Sequence, residues 1–282
     1  MMRSIFVLSA WVPTVLTIPY YHIDAFTNEL FRGNPAGVCL LADWLPARLM
    51  QNIAAEHNLA ETAFVVQRGT HVDLRWFTPT VEVDLCGHAT IAPAHVLFEH
   101  LAYAGERIPF HTRSGVLTVT RADGYLTLDF PSLRAVPCEP PNALVQGLGI
   151  TPLYAALATD YLAVLESAEQ VAELEIDQSA LMQCQSRGVI VTARDINGKF
   201  GGDVDFVSRF FAPRVGVPED PVTGSAHSTL IPYWSQQLGK KTMRALQISQ
   251  RGGELLCEDR GDRVGISGRA VTYSTGYLHV PN

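Results

Sequence analysis

The 282-residue chain has five cysteines (Cys39, Cys86, Cys138, Cys184 and Cys257) but no C-x-x-C pair. An odd number at wide spacing excludes a zinc ribbon and argues against a disulfide framework; it fits a reducing, cytoplasmic compartment. There is no G-x-G-x-x-G and no G-x-x-x-x-G-K-[ST], so nucleotide cofactors are not indicated. H-E-x-x-H is also missing, and His88 and His95, seven residues apart, are poorly spaced for zinc. No metal and no cofactor is expected. Ser225, in Gly224-Ser225-Ala226-His227, lacks the second glycine of a hydrolase nucleophile elbow. Charge is sparse at 17%, and 21 basic against 28 acidic residues leave a net −7 without a basic stripe. That balance excludes nucleic acid and an anionic membrane as partners, yet it leaves room for an anionic small molecule met by a local positive field.

Hydrophobic residues make up 47% of the chain, enough for one large domain or two of ordinary size. Residues 4–23 hold no Asp, Glu, Lys or Arg. Residues 1–16 therefore read either as a signal peptide or as an N-terminal extension with an added strand. Pro13 and the single Arg3 favour the extension. The fold itself is expected to begin at Thr17. Strands are expected at 18–26, 61–67, 72–78, 162–166, 188–195 and 205–213. Helices are expected at 46–57, 88–99, 142–147, 167–173 and 225–237. Residues 115–130 carry Asp123-Gly124 at the centre of a hairpin pattern. Pro131 to Pro141 reads as a crossover. Strands dominate and helices punctuate, so the class is α+β with much antiparallel pairing.

The most informative feature is an internal repeat, 76–100 against 210–238. Phe77 and Pro79 match Phe211 and Pro213 at an offset of 134, while Gly87, His88 and Ala89 match Gly224, Ser225 and Ala226 at 137. Each copy runs strand, Pro turn, polar Gly loop, amphipathic helix. Two copies imply two similar domains rather than a solenoid.

Each Gly loop opens a helix. A helix N-terminus offers unpaired N–H groups and roughly half a positive charge, and glycine admits a ligand close to the backbone. Two such ends facing each other make a carboxylate trap. His88, at the mouth of the first loop, is either a proton donor or a capping histidine. Asp220 is either a turn or cap carboxylate, or a group that holds a substrate amine or orients His88. Glu61 stands before the core strand Ala63-Phe64-Val65-Val66: a turn residue, or a carboxylate that burial tunes for proton transfer. Cys86 is either an apolar filler or a thiol activated by the helix end. His227 reads as structural.

IDAFTNELFRGNPAGVCLL, ETAFV, FTPTVEVDLCGHAT, FAPRVGVPEDPVTGSAH and SQRGGEL resemble the PhzF family, the phenazine-biosynthesis isomerase-like proteins, from about Thr17 to the C-terminus. The resemblance implies a diaminopimelate-epimerase-like fold: two pseudo-symmetric domains, each a mixed, mostly antiparallel sheet around a central helix. The implied domains span 17–132, with a strand from about 272–282 returning to it, and 133–271, with the site between them. It also implies a homodimer acting on a small carboxylate substrate. The family's isomerase converts trans-2,3-dihydro-3-hydroxyanthranilate to a ketone without metal or cofactor. Carried over, its acid/base glutamate is Glu61. The histidine of its G-H-A-T motif is His88, and its aspartate and serine are Asp220 and Ser225. Gly87 and Gly224 present N–H groups to the substrate carboxylate, with Cys86 beside them. An epimerase or lyase using Cys86 is the enzymatic alternative, and a non-catalytic metabolite-binding protein is the other.

Overall fold

The computed structural model describes residues 15–281. Residues 1–14, where the signal-peptide reading falls, lie outside the described residues. In the first half the strands are β1 (Val15–Ala25), β2 (Asn34–Leu41), β3 (Glu61–Arg68), β4 (His71–Phe77), β5 (Glu82–Val83), β6 (Arg107–Thr112), β7 (Gly115–Ala122) and β8 (Tyr125–Pro131). The helices there are α1 (Ala47–His57) and α2 (His88–Glu99). After β9 (Val136–Pro137) the second half repeats the plan with β10 (Tyr154–Leu157), β11 (Tyr161–Val164), β12 (Val189–Arg194), β13 (Phe206–Ala212), β14 (Val217–Asp220), β15 (Thr242–Gln247), β16 (Gly253–Asp259) and β17 (Arg263–Gly268). Its helices are α3 (Asn142–Leu148), α4 (Ala168–Glu173), α5 (Gln178–Leu181) and α6 (Gly224–Leu238); β18 (Ala270–Pro281) closes the chain.

The pairings of the two halves match strand for strand. β2–β3 and β4–β6 are parallel, as are β11–β12 and β13–β15. Every other pairing is antiparallel, and β8 against β17 joins the halves. β18 lies along β1 from Val15↔Pro281 to Ala25↔Ala270, while β9 lies along β10. β1 thus starts two residues ahead of the expected Thr17, because β18 extends far enough to pair with it. Asp123 (φ 51°) and Gly124 (φ 76°) supply the two positive φ values that a tight hairpin turn needs. β14 escapes a sequence reading because Pro218 lies inside it, and proline argues against a strand.

The central helices α2 and α6 are apolar nearly all round, and residues of both belong to one buried cluster. Each carries an interior proline, Pro93 and Pro232, which removes one helical hydrogen bond and orphans a carbonyl four residues earlier. Both orphans are answered from outside. Trp76 Nε1 donates to Ala89 O at 2.9 Å, and the Leu133 amide donates to Ser228 O at 2.9 Å. A second match is the bidentate pair on the strand before each Gly loop. Arg75 meets Glu82 at 2.6 and 2.8 Å, and Arg209 meets Glu219 at 2.7 and 3.0 Å. No helix among the described residues is long and apolar enough to cross a membrane.

Candidate active site

β2 and β3 run parallel with Ala36 opposite Glu61, which sets Glu61 at the first position of β3 rather than in a turn. α2 begins at His88, behind Gly87. The two elements bring Glu61 Oε2 within 3.0 Å of His88 Nε2, with His88 almost fully buried. The approach lies off the line of a hydrogen bond, so both atoms are buried without a hydrogen-bond partner. On the other side of the ring, His88 Nδ1 is 3.6 Å from Cys86 Sγ and 3.2 Å from Asn34 Nδ2.

Burial works against a charged His88, but the Cys86 sulfur and the Glu61 carboxylate outweigh it and hold the imidazole well above its ordinary value. Burial, with the Glu61 charge added, pushes the Cys86 thiol up to about 11. The thiol is therefore protonated at neutral pH. The helix end does not activate Cys86, because desolvation outweighs it. Among the described residues Glu61, Cys86 and His88 are a trio whose ligand atoms lie within 4.8 Å of one another. Holding a cation there would require the thiolate that burial opposes.

The second half supplies Asp220, at the end of β14. It is not the cap of α6; Thr223 holds that position. Asp220 Oδ1 accepts from Asn34 Nδ2 at 2.8 Å, and Oδ2 accepts from the Thr223 hydroxyl. Burial raises Asp220 above its ordinary value, and the Glu61 charge adds to that; His88, Thr223 and Asn34 work against it. Ser225 Oγ accepts from Arg187 Nη2 at 3.1 Å, and Arg187 itself is held by Asp160.

Between these groups the two Gly loops touch. A Cβ on Gly87 would stand 3.2 Å from the Gly224 Cα, and one on Gly224 would stand 3.3 Å from the Gly87 Cα. Neither α2 nor α6 has a side-chain cap. Two uncapped, inward-pointing helix N-termini therefore meet beside Glu61 and His88. A separate cavity of about 810 Å³, lined by Phe26, Arg32, Tyr125, Arg244 and Arg269 among others, contains none of the candidate residues.

The repeat also says what the second half lacks. Offset 137 sets Thr223 against Cys86 and Ser225 against His88, and strand register sets Gly188 against Glu61. A side chain at Gly188 would meet Phe210 Cζ at 2.5 Å and Phe211 O at 2.8 Å, so no carboxylate fits there. Sequence reasoning missed Asn34, Arg187 and Gln247. Gln247 accepts from the Thr223 amide and donates to Asp220 O, both at 2.8 Å. Asn34 lies inside the IDAFTNELFRGNPAGVCLL stretch, so that motif marked it without assigning a task, whereas Gln247 lies two residues ahead of SQRGGEL and no motif marked it.

The profile of the phenazine biosynthesis-like protein family matches residues 23–276. The chain belongs to that family. An uncharacterized isomerase of Pseudomonas aeruginosa is 51% identical over 94% of this chain and all of its own. The phenazine biosynthesis-like domain-containing protein of Homo sapiens is 41% identical over 93% of this chain and 99% of its own. The crystal structure of a PhzF-family protein from Enterococcus faecalis superposes with a TM-score of 0.89 at 46% identity, covering 94% of this chain and 100% of that one. A hydroxyproline epimerase from Agrobacterium vitis shares the fold alone, with a TM-score of 0.59 at 11% identity over 94% of this chain and 93% of that one. The PhzF chain thus has the expected α+β, epimerase-type fold of two pseudo-symmetric halves.

Proposed function

We propose that this PhzF-family chain is an isomerase that shifts a proton within a small cyclic amino or hydroxy acid carboxylate, without metal or cofactor. The observation that carries the reading is the pair of Glu61, partly buried, and buried His88, with Oε2 and Nε2 3.0 Å apart and unsatisfied, beside two uncapped helix ends. Glu61, 3.0 Å from the His88 ring, takes a proton from a substrate carbon. The C–H electron pair moves into the adjoining π-system, and Glu61 returns the proton to a second carbon. One C–H bond breaks, one forms and a double bond migrates, so no oxidant or second substrate is needed. His88 and Asp220 orient and polarise the substrate. The Gly87 and Gly224 amides, with Ser225, receive its carboxylate.

An epimerase needs a second base on the opposite face. The position matched to Cys86 is Thr223, the position matched to Glu61 is Gly188, and Cys86 is held protonated, so that reading is the weaker one. A homodimer in a reducing compartment, with its five cysteines free, completes the proposal. Sedimentation gives its mass.

The test is deuterium wash-in from D₂O, with trans-2,3-dihydro-3-hydroxyanthranilate and a panel of cyclic and α-amino acids as probes. Glu61→Gln abolishes exchange and Cys86→Ala costs little. Binding of a probe without exchange would replace the isomerase with a metabolite-binding protein.

A further inference from the structure

Asn34 is fully buried at the start of β2, in the first half, yet its side chain works on the second. Nδ2 has two oxygen acceptors within reach, Asp220 Oδ1 at 2.8 Å and Val222 O at 2.9 Å, and stands 3.2 Å from His88 Nδ1. A flipped amide would set its oxygen against two oxygens, so the amino end is fixed by chemistry. Its two hydrogens go to the two shorter contacts, both on the segment that leads into α6.

The approach to Asn34 is itself pinned. Phe26, Phe31 and Gly33 all have positive φ, at 62°, 68° and 67°. Two of these are bulky residues in a region they rarely adopt, so the loop must be held by its surroundings. Arg251, from the second half, donates to Gly33 O at 2.8 Å and to buried Asp24 at 2.8 Å, and Asp24 accepts the Phe31 amide at 3.0 Å. A side chain at Gly33 would meet Ala25 O at 2.2 Å, which reserves that corner for glycine. By the repeat's register the second half has Ala158 where the first has Asn34, so this bridge has no counterpart.

We propose that Asn34 is a positioning residue: its amide locks Asp220 across the cleft, in the orientation that the proton shift requires. The proposal rests on the role given to Asp220 above. Five groups besides Asn34 face or act on that carboxylate: the Thr223 hydroxyl before α6, His88 of α2, Glu61 of β3, Arg187 before β12, and Gln247 of β15 at its main chain. Asn34 and the Thr223 hydroxyl are the two hydrogen-bond donors to its oxygens. Losing one donor removes stabilisation of the charged form only, so ionisation moves to higher pH.

The experiment follows the Asp220 carboxyl carbon by ¹³C NMR across pH in the full chain, its signal assigned by its loss in Asp220→Asn. Asn34→Ala raises the midpoint by on the order of one pH unit. Asn34→Asp, nearly the same shape but turning an acceptor toward Asp220, raises it further and carries the test should the alanine variant not fold. With any probe that exchanges deuterium, the acid limb of the rate profile moves the same way, and kcat falls more than KM rises. An Asp220 midpoint unchanged in both variants would overturn the proposal. Absence of exchange with every probe would count against the isomerase reading instead, while the titration still decides Asn34.

Discussion

At the tip of the first half, Cys86, Gly87 and His88 open α2; at the matching tip of the second, Thr223, Gly224 and Ser225 open α6. Both tips follow a strand fixed by the same bidentate Arg–Glu pair, and both open an uncapped helix with an interior proline. The scaffold is therefore duplicated, while the titratable groups at its tips differ. One tip brings an imidazole and a thiol next to Glu61. The other brings hydroxyls, and Gly188 has no room for a second carboxylate. A duplicated helix-end trap needs both copies to hold an anion, whereas a single base that picks up and returns a proton needs only one. The asymmetry fits a proton shift better than a two-base inversion.

The largest expected effect breaks that asymmetry at its source. Glu61→Gln keeps the shape and removes the base, and the loss of exchange is about 10²–10⁴-fold. Ser225→Ala, on the other tip, raises KM by about tenfold with kcat little changed, as the loss of a carboxylate contact does.

The second effect concerns acid. The carbonyls of Cys86 and Thr223 occupy matched positions; Thr90 bonds the first and His227 Nδ1 the second, at 2.8 Å. Burial lowers His227 from 6.5 to about 4. The unfolded chain therefore binds the proton first, so stability is intact above about 6.5 and falls as pH drops toward about 4. The loss is about 3 kcal/mol. His227→Thr copies the first half and flattens that slope in chemical denaturation across pH. An unchanged slope would assign it elsewhere, for instance to His57, which burial also holds near 4.

A third, smaller effect uses the prolines. Trp76→Phe orphans Ala89 O and costs about 1–3 kcal/mol. The second half has no equivalent side-chain weak point, because the donor to Ser228 O is the Leu133 backbone amide, which only proline would remove. The smallest effect tests equivalence: Arg75→Lys and Arg209→Lys each cost about 1 kcal/mol or less by thermal denaturation. A large difference between them would mean that the halves are not mechanically alike.

Much of this was legible in the residues. The repeat survives in sequence because strand, proline and glycine positions are set by local backbone demands, and these demands recur in both halves. Glu61, His88, Cys86, Asp220 and Ser225 lie inside the repeat or beside a core strand, so spacing pointed to them. Asn34 and Arg251 did not emerge, because their partners are 186 and 218 residues away and only folding sets them together. Cys86 shows the opposite limit. Its place at a helix end allowed either an apolar filler or an activated thiol, and the burial around it favours the filler by holding the thiol protonated. The reason for Pro93 and Pro232 inside helices likewise became visible only with the outside donors in place.

The central claim is that one partly buried carboxylate, Glu61, carries the proton both ways. It is tested most directly by mass-spectrometric deuterium wash-in with wild type and Glu61→Gln side by side, on a probe that both bind. Solvent deuterium is expected in the substrate or product with wild type and none with Glu61→Gln. Equal exchange by the two proteins would contradict it.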